Sequence, residues 1–339
     1  MRTACAILAL LAGGVAYGAS FDCTKAKTPQ EKAICGSREL SLADEKLNAA
    51  YKTVQSSVPA EFAIKVRDDQ RNWLQLLPSQ CRDTESVPSE RLTQCMLRMY
   101  AERTADLQSR LFTAGGVRFF SRSIKLTWAD SNGTSPEWEE TPGFGTLKAM
   151  WPQSTRETAE WRAWNKAIEA ATQSLASVGG DSSPTGEWLK KWAADVDGEV
   201  TASVGLVSEE LVTASIGSDV MGHGAGHPGG SSIELNWLLK QKRELRPDDV
   251  FRRDSDWEKA IETLCSEDLQ RPDANLFDDW KQALPKVVLD SENWELNKAG
   301  LTINFPEYSV SPHVSPVSPV LIPWTALKPF LQSGFAIPK

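Results

Sequence analysis

Three histidines, six cysteines and 45 carboxylates are the side chains of this 339-residue chain whose types suit chemistry. His223 and His227 stand in the run Gly222-His223-Gly224-Ala225-Gly226-His227-Pro228-Gly229-Gly230. On a helix that spacing would turn both rings to one face for a metal ion, but glycine and proline at this density exclude the helix. No Glu stands where a zinc peptidase carries its base, and no third ligand accompanies the pair. The run therefore reads as a shaped, hydrogen-bonding loop, with no metal or other cofactor expected. The chain has no Gly-x-Ser-x-Gly elbow, no glycine-rich phosphate loop followed by Lys and no dinucleotide fingerprint. Paired carboxylates such as Asp248-Asp249 and Asp278-Asp279 fit an acidic surface. A glycosidase would need two carboxyls about 5 to 10 Å apart across a sugar cleft. No catalytic residue is assigned, and the chain is expected not to be an enzyme.

The cysteines point to structure. Arg2 and the apolar run Ala4 to Val15 precede Ala16-Tyr17-Gly18-Ala19, which reads as a signal peptide over 1–18 cleaved after Gly18 or Ala19. The mature chain is then expected in the periplasm or secreted, where disulfides persist. Once Cys5 leaves with the leader, Cys23, Cys35, Cys81 and Cys95 crowd the first quarter of the chain. Four cysteines allow three connectivities. The local pairs Cys23–Cys35 and Cys81–Cys95 are favoured, because each closes a short loop flanking a helical stretch. Neither pair has a zinc-knuckle gap. Cys265 is expected as a buried free thiol.

The elements that would position these groups fall into two parts. From about 31 to 112 the apolar spacing is helical: Leu47, Tyr51, Val54 and Val58; Phe62, Val66, Trp73 and Leu77; Leu92, Met96, Tyr100, Leu107 and Leu111. Pro59 and Pro78 read as punctuation between helices. Residues 113–116, Thr-Ala-Gly-Gly, read as a joint. Beyond it, Val117–Trp128, Gly145–Trp151, a hairpin over Val200–Ile216 about Ser208-Glu209-Glu210, Ser232–Leu239, Leu301–Phe305, Tyr308–Val310 and Val320–Ile322 read as strands. Arg156–Val178 reads as an amphipathic helix burying Trp161, Trp164 and Ile168, and Trp257–Leu264 as another. The expected class is α+β: a small disulfide-bonded helical domain over 19–112, then a larger mixed domain over 117–330 with an antiparallel-rich sheet, and a tail over 331–339.

Charge differs between the parts. Residues 19–112 carry 14 basic and 13 acidic side chains, whereas 113–339 carry 22 and 32. A net charge of −8 disfavours nucleic acid and attracts cationic proteins. The only long apolar run is shorter than the roughly 20 residues a spanning helix needs, so no integral membrane protein is expected. The 13 Trp against four Tyr could stack on sugar rings, but most recur at core spacing, and two or three at most are assigned to a binding face.

Two resemblances carry the functional expectation. The first covers about 21–111 and rests on Phe21-Asp22-Cys23, Thr28-Pro29-x-Glu31-x-x-Ile34-Cys35, Leu40-x-x-x-Asp44-x-x-Leu47-x-x-x-Tyr51, Gln70-Arg71-x-Trp73-Leu74, Cys81, Cys95 and Tyr100-x-x-Arg103-x-x-x-Leu107. This part resembles the LprI-type lysozyme-inhibitor family. The resemblance implies an exported helical module with structural disulfides and no catalytic residues. The second covers about 117–330. It rests on Met150-Trp151-Pro152-Gln153, Gly224-Ala225-Gly226-His227-Pro228, Leu245-Arg246-Pro247-Asp248-Asp249-Val250-Phe251, and Phe305-Pro306-x-Tyr308 leading to Val320-Leu321-Ile322-Pro323. This part resembles the RsiV/PdaC-like extracytoplasmic domain, with the family's small-residue run replaced by the Pro-rich Ser311 to Pro319.

Both resemblances imply a lysozyme-type muramidase, or another envelope hydrolase, as partner. Pro306 and Tyr308 are the first candidate binding residues, since an aromatic anchor beside a rigid Pro suits an interface hot spot. His227 is the next. The expected function is an exported envelope protein that recognises muramidases and inhibits or sequesters them. The competing expectation is a peptidoglycan-binding enzyme or enzyme accessory, with peptidoglycan as a further partner.

Overall fold

The computed structural model describes residues 18–81, 89–129, 144–176, 196–222, 225–272 and 274–338. Residues 1–17 of the expected leader, and His223, lie outside them. The chain divides into two units, Met1–Leu111 and Phe112–Lys339.

The first unit is helical. Thr28 and Glu31 form a reciprocal capping box with Pro29 in the first turn, which starts α1 (Pro29–Gly36). Ser37 caps α2 (Arg38–Ser57), and Ser89 caps α4 (Glu90–Ser109). Between them runs α3 (Ala60–Gln80), with Pro59 at its N-cap. Pro78 falls inside the last turn of α3 instead of ending it. Its missing N–H leaves the carbonyl of Leu74 without a helical donor, and exposed Leu74 leaves that end of the helix open to water. Leu40, Leu47, Val54, Leu92, Met96, Tyr100 and Leu107 form the core, as the helical spacing requires. Disulfides join Cys23 to Cys35 and Cys81 to Cys95, as the local pairing anticipates. Buried Arg103 is held by Asp69, Asp106 and the side-chain oxygen of Gln70, so its charge is fully partnered.

The second unit holds a seven-stranded sheet in which strand order follows chain order, β1 to β7. The strands are β1 (Leu111–Ala114), β2 (Val117–Ala129), β3 (Phe144–Ser154), β4 (Val196–Val207), β5 (Leu211–Gly222), β6 (Gly229–Leu238) and β7 (Arg243–Glu244). Residues 113–116 are therefore not a joint. They form the end of β1 and a two-residue turn, Gly115-Gly116, whose φ of 53° and 73° only glycine adopts freely. The registered pairs are antiparallel except β3 with β4, which lie parallel, with α5 (Ala159–Ala176) in the connection.

One face of the sheet packs on α5. Val212, Ala214, Ile216, Leu235 and Trp237 alternate toward it and meet Trp161, Trp164 and Ile168. The opposite face carries Thr213, Ser215, Glu234 and Asn236. It is covered by a second layer built from β8 (Trp294–Leu296), β9 (Gly300–Ile303) and β10 (Val320–Pro323), with β9 central. Short α6 (Pro247–Val250), α7 (Trp257–Leu269), α8 (Trp280–Val288) and α9 (Trp324–Leu327) complete this layer. Within the stretch read as a tail, residues 331–338 are described and two of them pack on the unit. Leu331 bridges Phe251, and Phe335 packs on Trp324.

Gly300 shows how closely the second layer is drawn together. A Cβ there would lie 2.1 Å from the carbonyl oxygen of Ile322 on the neighbouring strand. Gly300→Ala must push β10 away, and urea unfolding is expected to show a loss of roughly 1 to 3 kcal/mol. An unchanged midpoint would mean that β10 shifts at no cost.

Among the described residues, no helix is long and apolar enough to cross a membrane. Trp151, Trp161, Trp164, Trp237, Trp257, Trp280, Trp294 and Trp324 are buried. They are core residues, not a sugar-stacking platform.

Candidate functional site

Residues 304–309 leave β9 and run across the polar face of the sheet. Asn304 donates its backbone N–H to the carbonyl of Asn293 at 2.8 Å and its side-chain amide to Glu234 Oε1 at 3.0 Å. Farther along β6, the Gly230 N–H donates to Glu307 Oε2 at 3.1 Å. Two points on one strand thus pin the segment from both ends. Between them stands half-buried Pro306, whose carbonyl accepts from the Ser309 N–H at 3.1 Å and the Ser309 hydroxyl at 2.6 Å.

That bond closes a tight turn with Tyr308 at its third position, and Tyr308 has φ of 60°. Type II turns place glycine there, because a Cβ crowds the backbone in the left-handed region. The Tyr308–Val310 stretch is consequently a turn and not a strand. Its aromatic and β-branched residues suit a strand by propensity, but this backbone cannot continue a ladder. Tyr308 is 53% exposed, and Val314, farther along the same loop, is 86% exposed.

The loop also carries His313, whose Nδ1 lies 3.2 Å from Glu307 Oε1. The His313 ring stacks on His227 with centroids 4.4 Å apart, and the Tyr308 ring lies 6.1 Å from that of His313. His227 Nδ1 sits 2.8 Å from the carbonyl oxygen of Pro228 and so carries its proton there. All three sequence-chosen residues, Pro306, Tyr308 and His227, therefore meet in one surface cluster. Glu307 and His313 complete it, and the sequence reading missed both. Of these, His313 could have been singled out as the lone ring in a Pro-rich run. Among the described residues, no group of three or more His, Cys, Asp or Glu side chains is arranged to hold a metal ion.

Beneath the cluster, Glu234 is buried and accepts from the Ser215 hydroxyl at 2.7 Å. Burial pushes its carboxyl up to about 7; the Ser215 bond offsets part of that rise and the Glu295 charge adds to it. Because the folded value lies above the unfolded one, folding is favoured by protonation. This contribution is fully present below about pH 4 to 5 and is lost as pH rises through 7. Glu234→Gln keeps an acceptor for Asn304 and removes the ionisation. The variant is expected to be the more stable protein at pH 8 and to lose its advantage by pH 5, as thermal melts at the two pH values would show. A pH-independent difference would mean that Glu234 stays ionised in the fold.

Cys265 is fully buried in α7, and burial, with a smaller push from Asp268, raises its thiol to about 12. It is an inert core residue.

Residues 23–107 match the family model described as "Lysozyme inhibitor LprI". The LprI match runs from the first cysteine of the Cys23–Cys35 disulfide into the last turns of α4 and includes both disulfides. Residues 248–325, inside the span read as the RsiV/PdaC-like domain, match a second model, "Protein of unknown function (DUF3298)". Pro306, Glu307, Tyr308 and His313 fall in that second match, whereas His227, Gly230 and Glu234 precede it. The chain is similar to a solved DUF3298 family member from Bacteroides fragilis, at 18% identity and a TM-score of 0.47, covering 66% of this chain and 96% of that one. It is also similar to a DUF3298 family protein from Pseudomonas aeruginosa, at 13% identity and a TM-score of 0.45, covering 63% and 94%. No curated protein matches the chain.

Proposed function

We propose that this protein is an exported, non-enzymatic binder of the cell envelope that docks lysozyme-type muramidases and blocks their substrate cleft with the turn at Pro306–Tyr308. The observation that carries this reading is Tyr308 itself. A half-exposed aromatic ring is held in a backbone conformation that costs an L-residue about 1 to 2 kcal/mol, on a turn clamped to the sheet at two points. A ring presented that rigidly loses little entropy when a partner covers it.

Three further observations support the reading. The family description matched by residues 23–107 is that of a lysozyme inhibitor. The acidic chain, at −8, complements cationic muramidases and would steer their encounter. Two disulfides and the absence of a membrane-crossing helix among the described residues are compatible with a periplasmic or secreted protein. Peptidoglycan itself is not the favoured ligand, because Trp151, Trp161, Trp164, Trp237, Trp257, Trp280, Trp294 and Trp324 are buried.

Purified mature protein mixed with c-type and bacterial lysozymes is expected to slow lysis of cell-wall suspensions in proportion to complex formed. Undiminished lysis at excess protein, with no complex on size-exclusion chromatography, would overturn the proposal.

A further inference from the structure

The helical unit contains a cavity of about 540 Å³ that the Tyr308 face does not use. Its walls come from α1, α2, α3, the Ser20-Phe21 segment and Tyr100 of α4. The volume lies within the range of ligand pockets, about 300 to 1,000 Å³. Leu47, Leu77 and Phe21 make it largely apolar, and the rings of Tyr51 and Tyr100 add aromatic surface.

Two carboxylates line it: Glu31 accepts from the backbone N–H groups of Lys27 and Thr28, and Asp44 supplies the buried charge. Its residue is 7% exposed; its carboxylate accepts the Ser20 N–H at 2.7 Å and a hydrogen bond from the Tyr100 hydroxyl. Two donors leave part of a carboxylate's capacity unused. Among the described residues, Asp44 has no ion pair with any Lys, Arg or His. The nearby guanidinium of Arg103 is committed to Asp69, Asp106 and Gln70. A buried carboxylate with neutral partners only, at the wall of an apolar and aromatic cavity, is a receptor for a cation on an apolar stem.

We infer that this cavity takes a basic side chain, arginine above lysine, presented by a protein partner. A guanidinium is planar, can bond Asp44 in a fork and can stack on the tyrosine rings, while its stem covers the leucines. The identity of that partner rests on the muramidase reading; the chemistry of the cavity does not.

The test is a titration of the full mature chain with Nα-acetyl-arginine methylamide, and in parallel with the uncharged citrulline analogue, followed by NMR. Shifts at cavity residues that saturate with the arginine compound, and at least tenfold weaker binding of the citrulline compound, are expected. Asp44→Asn should weaken arginine binding at least tenfold. Because that variant could loosen the fold, Leu74→Trp is the second: Leu74 lines the cavity yet is 47% exposed, so a larger ring there fills the space without entering the core.

Equal binding of both compounds, no binding, or arginine binding untouched by Leu74→Trp overturns the inference. A mature chain beginning at Ser20 that binds neither compound also overturns it, in favour of an internal ion pair between its own ammonium and Asp44. Arginine binding in a chain that slows no muramidase upholds the cavity and removes the proposed partner; inhibition that survives Leu74→Trp and Asp44→Asn does the reverse.

Discussion

Replacing Tyr308 with glycine is expected to lower muramidase affinity by roughly 30- to 1,000-fold, as loss of an aromatic hot spot of about 2 to 4 kcal/mol does, while leaving the fold as stable as before. The usual truncation of an aromatic residue damages both. Here the two effects separate because the backbone at 308 already has the φ of 60° that glycine prefers. Relief of that strain is offset by the greater freedom of glycine in the unfolded chain, and the melting temperature should hardly move. Tyr308→Ala provides the control. It removes the same ring but keeps the Cβ and the backbone strain that Tyr308 already carries, so it should bind as poorly as the glycine variant and melt at nearly the same temperature. Titration calorimetry against a muramidase, with thermal melts of the free proteins, reads both quantities. Retained affinity in Tyr308→Gly would remove the ring from the interface.

Trp294→Ala should be the most damaging single change to the second unit, with a loss of roughly 3 to 5 kcal/mol. Trp294 is fully buried and meets Phe251 and Trp257 edge to face at 5.7 and 5.8 Å. Its indole N–H donates to the Val288 carbonyl at 2.7 Å, so truncation opens a cavity and also strands a buried acceptor. Its own carbonyl accepts from Asn236 on β6 at 2.6 Å, which ties the second layer to the sheet. For a unit of this size, a melting point about 10 °C lower is expected by circular dichroism. Trp294→Phe, which keeps most of the volume, should recover more than half of the loss. A drop of under 1 kcal/mol in the alanine variant would show that the two layers hold together without this residue.

The helical unit was legible because its apolar residues recur at three and four, and because four cysteines within a short stretch constrain one another. A different pattern, short runs rich in β-branched and aromatic residues bounded by turn residues, placed β2, β3, the β4–β5 hairpin and β6 close to where the structure has them. Three features were not legible. Gly115-Gly116 reads equally as a joint or as a turn, and only the pairing of β1 with β2 decides between them. Pro285 hides α8 by breaking its pattern, although the helix tolerates it. Tyr308-Ser309-Val310 has strand propensity, and nothing local announces a left-handed tyrosine. The site was legible in part. Pro306, Tyr308 and His227 could be chosen individually, but the His227–His313 stack joins residues far apart in the chain, and no spacing rule reaches that distance.

Because each strand of the large sheet lies beside the one made just before it, the sheet can be laid down in the direction of synthesis. A strand emerging from a pore or a ribosome finds its neighbour already in place. The segment that arrives last, from β8 onward, is the one that covers Glu234 and Asn236 and carries the Tyr308 turn. An incomplete chain therefore lacks the Tyr308 turn, and the docking face proposed for it forms only when the second layer is in place.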